Sequence, residues 1–85
     1  MPIVELYTSS LCGFCHAAKR LLSSKSATYR EIDLSRDPGR RSEMLVRANG
    51  SHTVPQIFIN DQHIGGCDEL YALDRSGKLE VMLLE

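Results

Sequence analysis

The sequence predicts an α/β fold: a mixed four-stranded sheet with helices on both faces, in the order β-α-β-α-β-β-α. Three observations carry that expectation. Apolar strand-like runs alternate with stretches of helical spacing along the first part of the chain, which is the pattern of parallel strands joined by a right-handed helical crossover. Two later strand-like runs flank the turn residues Asn60-Asp61, so they pair as an antiparallel hairpin. Proline and glycine punctuate the boundaries, at Pro38, Gly50, Pro55, Gly65-Gly66 and Gly77.

The first strand spans residues 2–7, where Ile3, Val4, Leu6 and Tyr7 alternate too little for a half-exposed strand, so it is central and covered on both faces. From Cys12 to Ser24 the apolar residues Phe14, Cys15, Ala18, Leu21 and Leu22 have helical spacing, and Ser23-Ser24-Lys25-Ser26 ends that helix. Thr28 to Asp33 alternates as a second strand. Asp37-Pro38, a cap followed by proline, starts a second helix that runs through Met44 and Leu45 until Asn49-Gly50. Gln56-Ile57-Phe58-Ile59 and Gln62-His63-Ile64 are the hairpin strands; Gly65-Gly66 breaks the ladder, and Cys67 to Asp74 forms a third helix. After Ser76-Gly77, residues 78–84 form a further short helix that packs Val81, Leu83 or Leu84 onto the body.

At 85 residues the chain is expected to be one domain, residues 1–85, burying about 60% of its unfolded surface. Net charge is −1 with acids and bases interspersed, and aromatics are 6%, which argues against a nucleic-acid surface. Met1-Pro2-Ile3-Val4 carries no basic n-region, and no run approaches the roughly 18 apolar residues of a membrane span. A soluble, cytoplasmic monomer is expected. Three cysteines, an odd count with one close pair, indicate redox or metal chemistry in a reducing compartment.

That pair, Cys12-Gly13-Phe14-Cys15, opens the first helix. A thiol at a helix start meets N–H groups without intrahelical partners and the positive end of the macrodipole, both of which favour the thiolate. Lys19 and Arg20 lie about 10 Å or more farther along the helix, so they complement its C-terminal end instead of helping Cys12. A spacing of three puts Cys15 one turn on, on the same face, within the Cα separation of about 4.4–6.8 Å that a disulfide needs. Cys12 is therefore the exposed nucleophile and Cys15 the more buried resolving thiol. Beside a βαβ pattern, Cys-x-x-Cys is a thioredoxin-like redox signature. The competing reading is half of a structural zinc site completed by Cys67, His16, His52 or His63, but no second Cys-x-x-Cys or His-x₃₋₅-His is present. His16 reads as a solvated or hydrogen-bonded helix residue before a catalytic base.

Three separated motifs then carry a resemblance over nearly the whole chain: Tyr7-Thr8 ahead of Cys12-Gly13-Phe14-Cys15-His16; Thr53-Val54-Pro55-Gln56-Ile57-Phe58-Ile59; and His63-Ile64-Gly65-Gly66-Cys67-Asp68. In this order they resemble a glutaredoxin, of the small dithiol kind found in bacteria. The resemblance implies a thioredoxin-like fold, a cis bond before Pro55, glutathione as co-substrate, and reduction of protein–glutathione mixed disulfides and protein disulfides by Cys12 and Cys15. It implies a glutathione site made by Tyr7, Phe14, Thr53, Val54, Pro55, Cys67 and Asp68. Elementary chemistry agrees at several points. Pro55 cannot continue a ladder and leaves the Val54 backbone free to meet a ligand. Gly65-Gly66 permits close approach, the following helix start offers N–H groups to a carboxylate, and Asp68 with Glu69 can accept from an ammonium group. Tyr7 and Phe14 either pack or flank the ligand. Cys67 is either a small buried hydrophobe or a modulator of Cys12.

Two departures qualify the resemblance. Ser9 stands where many members carry a lysine for the glycine carboxylate of glutathione, leaving Arg47, or else Arg40 or Arg41, to replace it. Gly13-Phe14 stands where dithiol members have Pro-Tyr, which opens an alternative: a homodimer sharing a [2Fe-2S] cluster through each Cys12 and two glutathiones. Against it, such carriers have serine in place of Cys15 and a tryptophan-proline element, and this chain has no tryptophan. A third reading is a thioredoxin-like reductase served by a protein reductase.

Overall fold

The first apolar run of the chain becomes one of the two inner strands of the sheet. In the computed structural model, which describes residues 2–84, β1 (Val4–Thr8) lies between β2 (Tyr29–Asp33) and β3 (Gln56–Ile59), and β4 (Gln62–Gly65) closes the other edge. β1 pairs parallel with β2 and antiparallel with β3, and β3 pairs antiparallel with β4. The helices are α1 (Gly13–Ser24), α2 (Arg41–Arg47), α3 (Cys67–Arg75) and α4 (Lys78–Leu84). The expected order of elements along the chain and the mixed four-stranded sheet are thus present.

Alternation along β1 sends side chains to both faces. Val4 and Leu6 join Leu21, Leu22, Ile57, Ile59, Leu70 and Leu79 in an aliphatic core beneath α1, α3 and α4. Tyr7 joins Ile32, Leu34, Met44 and Phe58 beneath α2. The second face is closed by charge as well. The Arg47 guanidinium lies 4.1 Å from the Phe58 ring centroid, donates at 2.9 Å to the Tyr7 hydroxyl, and binds Glu5 and Asp61 at 2.9 Å each. Tyr7 in turn donates to Glu43. At the far end of α1, Lys25 bridges Asp74 of α3 at 2.7 Å and Glu80 of α4 at 2.9 Å.

Several expectations are corrected. Ile3 lies outside β1 and is largely exposed, because its backbone is tied to the hairpin turn: its N–H donates to Asn60 Oδ1 and its carbonyl accepts from the Asn60 N–H. The expected second helix begins as a 3₁₀ turn, Pro38–Arg40, before α2, and the Asp37 side chain does not cap it. Asn49 and Gly50 end α2 at φ 54° and 90°, a left-handed exit in which the Gly50 N–H caps Leu45 O at 2.8 Å. In α4 Leu83 packs beside the core as expected, together with Met82, but the buried residue is Leu79, and Val81 and Leu84 lie on the opposite, exposed side. No helix of the described residues is long and apolar enough to cross a membrane.

Candidate functional site

Cys12 occupies the N-cap of α1 with extended φ and ψ, the position that usually takes an oxygen side chain. Here the cap is sulfur: Cys12 Sγ accepts from the Cys15 N–H at 3.0 Å. A donor so placed stabilises negative charge on sulfur, as does the helix start itself. Cys15 follows one turn later, fully buried, with its Cα 5.2 Å from that of Cys12, and the pair is closed as a disulfide. Cys12 is only half-buried, and its Sγ lies 3.7 Å from Val54 O. Lys19 takes no part at the sulfur, nor does it complement the helix C-terminal end; it pairs with Glu31 of β2 at 3.1 Å, and the last turn of α1 holds no basic residue.

Beside this pair runs a cleft of about 330 Å³ lined by Phe14, Thr53, Val54, Pro55, Gly66, Cys67, Asp68 and Glu69. Its volume falls at the low end of the roughly 300–1,000 Å³ of small-molecule sites. One wall is the Thr53–Pro55 segment, whose Val54–Pro55 bond is cis. The other is the start of α3. Gly65, at φ +116°, can only be glycine there: a Cβ would sit 2.8 Å from Glu69 Oε1. Gly66 caps α3, and its N–H donates to Glu69 Oε1 at 2.6 Å. That cap occupies one oxygen of Glu69, and the Asp68 and Glu69 side chains are both exposed. Cys67 is buried, and burial, then Asp68 and Glu69, push its thiol above the ordinary 9.0, so it stays protonated at neutral pH.

The structure thus brings Phe14, Thr53, Val54, Pro55, Cys67 and Asp68 to one cleft. Tyr7 is not among them. Its side chain is fully buried on the α2 face, where burial and the bond to Glu43 raise its pKa above 10.0, so it packs and does not flank a ligand. Arg47 is likewise withdrawn, held by Glu5, Tyr7 and Asp61, and Arg40 is paired with Glu43. Arg41 alone of the three reaches the loop that leads into the cleft, donating to His52 O at 3.0 Å. His16 is exposed. Among the described residues no group of three or more His, Cys, Asp and Glu side chains converges to hold a metal ion.

Two supporting residues escape the sequence reading. Glu69 as a cap was legible in its place three residues after Gly66, which lets its carboxylate reach back to the Gly66 N–H, the one half of a capping box that a glycine allows. Gln56, a buried polar residue whose amide donates to Thr53 O and Oγ1 at 3.0 and 3.2 Å, gave only the weak signal of one polar residue in an apolar strand.

Two sulfurs one helical turn apart, one accessible and one buried, at the edge of a ligand-sized cleft in a thioredoxin-like fold, define a thiol–disulfide oxidoreductase. A family model described as Glutaredoxin matches residues 4–64. Among curated proteins, Glutaredoxin 3 of Escherichia coli is 52% identical over 83 residues, covering 98% of this chain and 99% of that protein. A glutaredoxin of Pseudomonas aeruginosa is 48% identical over 83 residues, covering 98% of each. Among solved structures, the buckwheat glutaredoxin–glutathione complex superposes with a TM-score of 0.85 at 34% identity, covering 95% of this chain and 76% of that one. Glutaredoxin from Brucella melitensis gives 0.80 at 50% identity, covering 94% and 86%. The chain belongs to the glutaredoxin family.

Proposed function

We propose that this protein is a glutathione-dependent oxidoreductase that reduces protein–glutathione mixed disulfides and protein disulfides through Cys12 and Cys15. The carrying observation is the cleft at the Cys12 sulfur, with Val54, whose backbone belongs to no strand, on one side and Asp68 at a helix start on the other. An extended γ-glutamyl-cysteinyl-glycine can add to the Val54 backbone as a short strand, its cysteine sulfur at Cys12 and its ammonium at Asp68. We assign the glycine carboxylate to Arg41, which donates to His52 O just ahead of that segment. The buckwheat relative, solved with glutathione, supports the choice of ligand.

The Cys12 thiolate attacks the glutathione sulfur of a mixed disulfide; the S–S bond breaks, and the protein thiolate leaves and takes up a proton. A glutathione thiolate then attacks the Cys12–glutathione bond, yielding glutathione disulfide and restoring the Cys12 thiolate. With a protein disulfide, Cys15 displaces the reduced protein from Cys12, and two glutathiones reopen the Cys12–Cys15 bridge. Glutaredoxin potentials of about −200 to −230 mV lie close to the glutathione poise, so the reaction runs in either direction.

Turnover of a glutathionylated peptide with glutathione as sole reductant tests the reading. Cys12→Ser abolishes it, whereas Cys15→Ser retains deglutathionylation and loses reduction of protein disulfides. Equal loss in both variants overturns the assigned roles, and turnover only with a protein reductase favours the thioredoxin-like alternative.

One observation keeps the cluster-sharing dimer in view: Gly13 leaves the helix start open, with no atom outside its own stretch of helix within 4 Å of where its Cβ would stand. Protein that is colourless after anaerobic purification with glutathione removes that reading.

A further inference from the structure

We infer that Gln56 and His63 are positioning residues that fix the Thr53-Val54 wall of the cleft; the inference rests on the glutathione-binding reading of that wall. Gln56 is 3% exposed at the start of β3. Its Nε2 donates to Thr53 O at 3.0 Å and Thr53 Oγ1 at 3.2 Å, while its Oε1 lies 2.6 Å from His63 Nε2. A backbone carbonyl can only accept, so the amide nitrogen must face Thr53 and the oxygen must face His63. His63 therefore carries its hydrogen on Nε2, and the chain of donors runs His63 to Gln56 to Thr53.

The far end of this chain is anchored. His63 stacks on Phe58 at 5.0 Å between centroids with an interplanar angle of 29°, across the β3–β4 register that pairs the two residues. Phe58 is held in turn by Arg47 at 4.1 Å and by the Tyr7 ring at 5.8 Å. Thr53, by contrast, belongs to no strand, and among the described residues its recorded hydrogen bonds come from Gln56 alone. Arg41 holds the preceding His52 carbonyl and Val54 packs on the Tyr7–Phe58 cluster, so Gln56 supplies the side-chain bonds that fix Thr53 between them. Val54 is the next residue, and its carbonyl faces the Cys12 sulfur. The relay thus sets where the ligand backbone docks and leaves the chemistry at sulfur alone.

Gln56→Leu, of similar size but without either bond, should raise KM for a glutathionylated peptide about three- to tenfold, the worth of one or two net hydrogen bonds. kcat and the rate of Cys12 alkylation by iodoacetamide should stay unchanged. His63→Ala should shift KM in the same direction by less, and His63→Gln, which restores a donor, should recover it. An unchanged KM in Gln56→Leu, with the wild type active, overturns the relay and leaves the functional reading standing. A fall in kcat and in alkylation together, at any KM, also overturns it, because that is general loss of structure. Wild-type protein that does not turn over glutathionylated peptide overturns both. If Gln56→Leu does not fold, as read by thermal melting, the comparison of His63→Ala with His63→Gln decides: equal KM in the two refutes the relay.

Discussion

Beneath α1, α3 and α4 the sheet buries Leu6, Leu22, Ile57, Ile59, Leu70 and Leu79 with no charged group among them, whereas beneath α2 it packs Tyr7 and Phe58 against a guanidinium. Three helices can dry a sheet face with aliphatic side chains alone. A single helix of 7 residues that buries only Met44 cannot, so Arg47 and its four partners close the remaining surface. The cleft takes a wall from each side: Cys67 and Asp68 begin α3, and Val54 packs against the Tyr7–Phe58 cluster. One wall is thus fixed by a helix cap and apolar packing, the other by polar and aromatic contacts, and perturbations of the two faces should reach the site differently.

Leu70→Ala is the strongest challenge to the aliphatic face: a fully buried side chain is lost where α3 meets the sheet, and urea unfolding should report a loss of about 2–5 kcal/mol. Arg47→Met keeps the apolar stem and removes the charge; it should cost about 1–3 kcal/mol, since bonds to the half-buried Glu5 carboxylate and the buried Tyr7 hydroxyl are broken. A cost near zero would mean that the α2 face is held by Phe58, Tyr7 and Met44 alone. Glu43→Gln sharpens the contrast through pH. Arg40 first, and the Tyr7 hydroxyl second, hold the Glu43 carboxyl below the ordinary 4.5. A depressed folded-state pKa stabilises above the unfolded value and is lost as pH falls through the folded one. The melting-temperature advantage of wild type over Glu43→Gln should accordingly be full at pH 7 and shrink below pH 4.5, while the Leu70→Ala difference is the same at both. The smallest effect belongs to neither face: Gly13→Pro, at the first helical position with open space around it, should stabilise by about 0.4–1 kcal/mol in the same melts.

The strands and the reactive pair were legible because each depends on local pattern: the residues of β3 coincide with the expected run, and a three-residue spacing suffices to bring Cys15 to Cys12. Alternation in β1 put Tyr7 on the face opposite Leu6, but no local rule says that α2 and Arg47 bury it there, away from the cleft. The same gap separates Arg41 from Arg47. Six residues apart on one helix, they point about 120° from each other, and only the fold decides which of them meets the loop before Thr53. Gln56 stayed hidden for a related reason: its partners, Thr53 and His63, are three residues before and seven after it, and meet only because β3 and β4 fold back on each other.

Under sequence drift, Gly65 and Gly13 have opposite fates. Position 65 is closed to every side chain twice over, by φ +116° and by the Glu69 side chain 2.8 Å from any Cβ, and a change at 69 lifts only the second barrier. Position 13 has neither barrier. Variation near the reactive pair is therefore free at its helix start and frozen at the seam between β4 and α3, so lineages of this chain can explore new residues between the two sulfurs while one torsion angle keeps the opposite wall of the cleft in place.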